Sequence, residues 1–131
     1  MKTIHVVAAI IKRNNEILIA QRNYGEFKNL WEFPGGKVDK NETREEALKR
    51  ELLEEMNVEI HIQEHFITIT YDYPNFHLIM DCFICSLNSK EISLHVHDKY
   101  RWVAIQDALI DIDWIPADIQ IIHALQEKFG K

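Results

Sequence analysis

The chain has 131 residues, 47% of them hydrophobic and 27% charged, with a formal net charge of −6. A chain of this length reads as one domain, 1–131, that buries about two thirds of its surface on folding, so it can build a core without disulfides or a structural metal. The composition excludes a disordered tail, a collagen-like fibre and a disulfide-knotted miniprotein. The acidic balance argues against a nucleic-acid polymer as partner, because a phosphate backbone rewards Lys and Arg. A free nucleotide is still a suitable ligand if a metal neutralises its phosphates.

No apolar run approaches the ~20 residues of a membrane span. The opening MKTIHVVAAIIKRNN is apolar only from Val6 to Ile11 and reads as a strand, not a signal peptide. The protein is expected in the cytoplasm, as a monomer or homodimer, without membrane contact. Cys82 and Cys85 form a C-x-x-C, but they lie in the strand-like run LIMDCFICSL. Their odd separation puts them on opposite faces of a strand, so they read as structural thiols, not as a redox or zinc pair.

In chain order, Thr3–Lys12 reads as a strand, Asn14-Asn15 as a hairpin turn and Glu16–Gln21 as the return strand. Asn23–Asn29 reads as a loop, and Phe33-Pro34-Gly35-Gly36 as a break in regular structure. Thr43–Met56 has the marks of a helix. Thr43 and Glu46 have capping-box spacing, Leu48, Leu52 and Met56 form an apolar stripe, and Asn57 stands where a left-handed cap is expected. Val58–Tyr73 and His77–Leu87 suggest a long hairpin around Pro74-Asn75, followed by shorter strands at Ile92–His97 and Tyr100–Ile105. Gln106–Ile110 reads as a short helix or turn. Pro116 suits the first turn of a final helix with Ile119, Ile122 and Leu125 as its apolar face and Phe129 near its end. The expected class is α+β.

The chemistry lies on the first helix. Glu51, Glu54 and Glu55 are spaced i, i+3 and i+4, so their carboxylates share one edge. Like charges so placed cost roughly 0.2–0.5 kcal/mol per pair. A divalent cation between them would remove that cost, and oxygen ligands favour Mg²⁺, Mn²⁺ or Ca²⁺ over zinc. Gly35-Gly36 just upstream allows backbone to approach a ligand closely.

Taken together these residues read Gly36, five residues, Glu42, seven residues, Arg50-Glu51-Leu52, one residue, Glu54-Glu55, one residue, Asn57-Val58. The pattern resembles the Nudix hydrolase signature and departs from it at one position, Asn57 in place of Gly. Both residues tolerate the left-handed conformation, so the helix cap is expected to survive. Leu18–Arg22, Trp31-Glu32-Phe33-Pro34-Gly35-Gly36-Lys37 and Ile115–Ile119 look like the MutT branch of that family, which includes pyrophosphohydrolases of CTP and of oxidised dGTP.

The resemblance implies a mixed β-sheet sandwiched between α-helices and metal-dependent hydrolysis of a nucleoside triphosphate to a monophosphate and pyrophosphate. It implies that Glu51, Glu54 and Glu55 hold Mg²⁺ or Mn²⁺ with the Gly35 carbonyl, that one of these glutamates, Glu51 by preference, or a carboxylate elsewhere takes the proton from the attacking water, and that Glu51, Glu54 and Arg50 form the catalytic set, with Arg50 orienting Glu51 and Glu54. Glu42 would pair with Arg50 or bind a further metal. Arg22 and Lys37 would contact phosphates, and Asp118 would read the base as a hydrogen-bond acceptor, with cytosine ranked ahead of oxidised guanine. Trp31, Phe33, Phe76, Phe83 and Trp114 could stack on a base; most of them suit the core, and Phe83 or Trp114 is favoured. Val96 stands where relatives carry an extra Glu; Asp98 could replace it, or Arg101 could occupy that loop. His95 and His97 alternate onto one strand face but give a weaker metal reading than the glutamates. The competing readings are hydrolysis of another nucleoside diphosphate conjugate, such as a dinucleoside polyphosphate or ADP-ribose, and a Nudix-fold binding module without turnover.

Overall fold

A computed structural model describes residues 1–88 and 97–130, the stretch 97–99 by backbone only. The strands are β1 (Lys2–Arg13), β2 (Glu16–Arg22), β3 (Trp31–Glu32), β4 (Gly35–Lys37), β5 (Ile60–Tyr73), β6 (Phe76–Leu87) and β7 (His97–Ala104). The helices are α1 (Arg44–Met56) and α2 (Asp118–Phe129), with a 3-10 turn at Ile105–Asp107. The strands form one sheet ordered β3-β2-β1-β6-β5, with β4 also on β1 and β7 also on β2. Among the described strand pairs only β1 and β6 run parallel, so the sheet is mixed.

The period-2 alternation of β1 explains how the sheet is packed. Ala8 and Ile10 join one apolar cluster, with Ile121, Ile122 and Leu125 of α2. Val7, Ala9 and Ile11 join the other, with Ala47, Leu48, Leu52 and Met56 of α1. A strand buried on both faces reads as a continuous apolar run, as VVAAII does. The sheet therefore lies between helices, as the signature implies. Cys82 falls in the α2-side cluster and Cys85 in the α1-side cluster, on opposite faces. Burial raises the pKa of both thiols, that of Cys85 to about 12, so they stay protonated.

Helix α1 forms for the local reasons the sequence predicts. Glu46 N–H donates to Thr43 Oγ1 at 3.0 Å and Thr43 N–H donates to Glu46 Oε1 at 2.8 Å, a complete capping box. Asn57 closes the helix at φ 53°, ψ 40°, and its N–H reaches Leu53 O at 3.0 Å. The two-residue Asn14-Asn15 turn and the β5–β6 hairpin also form, the latter turning at Pro74-Asn75.

Three expectations need correction. Gly35-Gly36 does not break regular structure: it forms β4, paired with Val7 and Ala8 of β1. Neither glycine has positive φ. Both are there because their neighbours are too close to admit a Cβ, as shown below. Pro116 precedes α2, which starts at Asp118 with Ala117 as its cap. From that start, positions 118, 121, 122 and 125 share one face, so Ile121 is buried and Ile119 is 37% exposed. The strand expected from Ile92 falls mostly outside the described residues.

Candidate active site

A cleft of about 550 Å³ opens beside β4 and the middle of α1. Glu51 and Glu55 line it from the helix, Gly35, Gly36 and Lys37 from β4, and Asp118 from the start of α2. The fold brings Asp118 to this place because the segment before α2 runs along β3. Trp31 N–H donates to Asp113 O at 2.7 Å, and Ile115 N–H donates to Trp31 O at 2.9 Å.

Gly36 is required by Glu51. A Cβ at position 36 would lie 1.8 Å from Glu51 Oε2. Gly35 is required by the sheet, since its Cβ would lie 2.0 Å from the Val7 carbonyl oxygen. Arg50 bonds to the groups around it on both α1 and β4. It donates to Glu42 at 2.7 and 3.0 Å, to Glu54 at 3.0 Å, to Glu51 at 3.4 Å and to the Lys37 carbonyl at 3.0 Å. Its bonds to Glu42 raise its own pKa and lower that of Glu42. Of the two roles considered for Glu42, the geometry shows the pairing with Arg50.

Glu55 is the most perturbed glutamate. Burial, then the charges of Glu51 and Glu32, push it up to about 8. Its Oε2 is buried, with no hydrogen-bond partner among the described residues. Burial also raises Glu51. An unsatisfied buried carboxylate oxygen is costly, and an all-oxygen donor set suits a hard divalent cation. The residues therefore fit the metal that the signature implies. Arg50 holds Glu51 and Glu54 in their present positions, and no group of three or more His, Cys, Asp or Glu side chains among the described residues is already arranged to hold a metal ion. Glu54, with its side chain 60% exposed, does not line the cleft.

Arg22 lines the cleft but is held by Glu32 through two bonds, 3.0 and 2.6 Å. Burial opposes its charge, and those bonds outweigh burial and raise its pKa. Glu32 is thus a site residue that the sequence reading missed. Lys37 is exposed at the cleft. Asp118 is 5% exposed, and its Oδ2 accepts the Phe33 N–H at 2.8 Å. Burial, then the charge of Glu32, push it up to about 8. The shift is toward the protonated acid, which donates as well as accepts.

Of the candidate stacking residues, Phe33 and Phe76 line the cleft and the favoured pair does not. Phe83 is buried on the α1 face, and Trp114 donates its indole N–H to Ala108 O at 2.7 Å in the core; neither lines the cleft. Phe27, Tyr73 and Phe76 line it instead, their rings clustered around Tyr73 at 5.4 and 5.0 Å. The Tyr73 hydroxyl accepts the Ala117 N–H at 3.2 Å, next to Asp118. Arg101 lies over the Trp31 ring at 5.2 Å and does not line the cleft. His95 and Val96 lie outside the described residues, as do the side chains of His97 and Asp98.

A mixed sheet between two helices, with a carboxylate-bearing helix facing a Gly-Gly strand across a cleft, defines a Nudix domain, and the chain belongs to that family: the NUDIX domain model matches residues 1–125. Nudix hydrolases need a divalent metal. Among relatives, the chain is 34% identical over 125 residues to the CTP pyrophosphohydrolase of Escherichia coli, covering 95% of this chain and 92% of that one. It is 37% identical over 128 residues to the 8-oxo-dGTP diphosphatase of Haemophilus influenzae, with the same two coverages of 95% and 92%. The solution structure of the Escherichia coli ORF135 protein matches with a TM-score of 0.85 and 32% identity, over 100% of this chain and 94% of that one. No helix among the described residues is long and apolar enough to cross a membrane.

Proposed function

We propose that this protein hydrolyses a (deoxy)nucleoside triphosphate to the monophosphate and pyrophosphate, with Mg²⁺ or Mn²⁺, and that cytosine nucleotides and oxidised dGTP are its substrates, in that order. The observation that carries this reading is one cleft with glutamates on one wall and a buried, hydrogen-bonding acid beside three aromatic rings on another. The metal, when bound, neutralises phosphate charge and lowers the pKa of a bound water. Glu51, Glu54 and Glu55 would hold it with the Gly35 carbonyl. Glu51 would also take the proton of the attacking water, because it faces the cleft and Arg50 reaches it at 3.4 Å. Arg50 keeps Glu51 and Glu54 oriented. Arg22, already fixed by Glu32, and Lys37 offer charge to the phosphates. Asp118 would meet the base edge, and Phe27, Tyr73 and Phe76 supply an apolar seat for its ring.

The test is pyrophosphate release with Mg²⁺ across CTP, dCTP, 5-methyl-dCTP, dGTP and 8-oxo-dGTP, with Glu51→Gln as the blank. Release from a cytosine or oxidised guanine nucleotide, lost in the variant, supports the reading. No release from any triphosphate sinks it and favours a diphosphate conjugate or binding without turnover.

A further inference from the structure

On the α1 face of the sheet, four side chains from three elements meet one buried carboxylate, and none of the five lines the cleft. Asp81 of β6 is 3% exposed. Its Oδ2 accepts from His5 Nε2 of β1 at 2.7 Å. Its Oδ1 accepts from His65 Nε2 and Thr68 Oγ1 of β5 at 2.9 and 2.6 Å, and lies 3.2 Å from the Arg44 guanidinium. Both oxygens are engaged, whereas Glu55 Oε2 has no partner among the described residues, so Asp81 acts as a hub for donors, not as a vacant ligand. The Thr68, His5 and His65 bonds and the Arg44 charge overcome burial and hold its pKa well below the usual carboxylate range.

Arg44 is the first residue of α1, where a cation opposes the helix dipole and where Glu45 and Glu46 are the favourable residues. Its placement makes sense as a tie to Asp81. We propose that Asp81 and Arg44 are positioning residues that pin the start of α1 to the sheet and so set the height of Glu51 against Gly36. This rests on the hydrolase reading above. Glu51 is seven residues along the helix from Arg44, ~10 Å at 1.5 Å per residue, and a rigid helix carries a shift at its start to that point. The tolerance there is small, since Glu51 Oε2 fills the space a Cβ on Gly36 would occupy.

The experiment compares wild type, Arg44→Ala and Arg44→Lys. Steady-state pyrophosphate release is read together with amide hydrogen exchange of Leu48–Glu51. Arg44→Ala is expected to lower kcat about tenfold with KM nearly unchanged and to speed that exchange, and Arg44→Lys to restore most of both. Wild-type kcat in Arg44→Ala, or wild-type exchange there, would overturn the proposal. If wild type itself releases no pyrophosphate, the hydrolase reading fails separately and the exchange rates decide whether the tie exists.

Discussion

Gly36→Ala separates the site's chemistry from its stability. The added Cβ would lie 1.8 Å from Glu51 Oε2, 2.3 Å from Cδ and 2.9 Å from Oε1, whereas ordinary contact starts at 3.4 Å. The nearest oxygen must therefore retreat by 3.4 − 1.8 = 1.6 Å. What gives way is the end of a flexible side chain, and the backbone of Gly36 is not left-handed, so the β1–β4 pairing survives. The stability cost should stay near or below ~1 kcal/mol. Activity should fall far more, because a displacement of this size at a reacting group costs on the order of 10²-fold in kcat, or ~2.7 kcal/mol of barrier. Gly35→Ala is the control. Its Cβ meets the Val7 carbonyl oxygen at 2.0 Å and Ala8 Cα at 2.9 Å, which are backbone atoms that cannot rotate away. It should cost about 1–3 kcal/mol or more of stability. The assay is kcat by pyrophosphate release beside thermal unfolding of both variants. A Gly36→Ala protein with wild-type kcat, or one whose loss simply follows its Tm, would refute the reasoning.

Two other substitutions follow from single positions. Asp118 titrates near 8 when folded and near ~3.9 when unfolded. A raised folded pKa gives stability that is complete below about pH 4 and is lost as pH rises through about 8. Asp118→Asn removes that dependence, so wild type should lose more Tm than the variant between about pH 5 and 8; equal slopes in thermal melts would count against the buried acid. Asn57 caps α1 at φ 53°. Asn57→Gly should leave stability within ~0.5 kcal/mol, whereas Asn57→Ala should cost ~1 kcal/mol in urea unfolding, because an alanine pays to enter the left-handed region.

The parts of the fold that could be read from sequence are those fixed by near neighbours. Helix α1 is specified within fifteen residues by Thr43, Glu46, the Leu48–Leu52–Met56 stripe and Asn57, and so the shared edge of Glu51, Glu54 and Glu55 is specified with it. The cleft wall is different. Glu32 reaches Arg22 only because β3 pairs with β2, and Tyr73 reaches Ala117 across 44 positions of sequence. Periodicity within one segment carries no information about which segments meet. Phe83 was chosen for its ring, but strand parity decides its place. In β6 Leu78, Met80 and Cys82 face the cluster packed with α2, whereas Asp81, Phe83 and Cys85 face α1. Leu78 and Met80 line the cleft and Phe83 does not. That parity was available in the sequence once the face of any one β6 residue was known.

On the function proposed above, the charge of the cleft ties metal binding to substrate binding. Its walls carry Glu32, Asp39, Glu51, Glu55 and Asp118 against Arg22, Lys37 and Arg50. With Glu55 and Asp118 raised to about 8, the metal-free cleft at neutral pH holds nearly equal charges of each sign. A triphosphate then finds no net attraction, and a cation alone must draw a proton off Glu55. Bound together, each removes the other's cost: the phosphates balance the cation, and the cation favours the ionised glutamates. Linkage requires the effect to be mutual, and couplings of this kind amount to ~1–3 kcal/mol, or about 5–150-fold in affinity. Calorimetric titration with a non-hydrolysable triphosphate, with and without Mg²⁺, should show a change in Kd within that range, and the nucleotide should tighten Mg²⁺ by the same factor. Equal nucleotide affinity after chelation would mean that the arginines and Lys37 bind the phosphates unaided and that the glutamates serve catalysis alone.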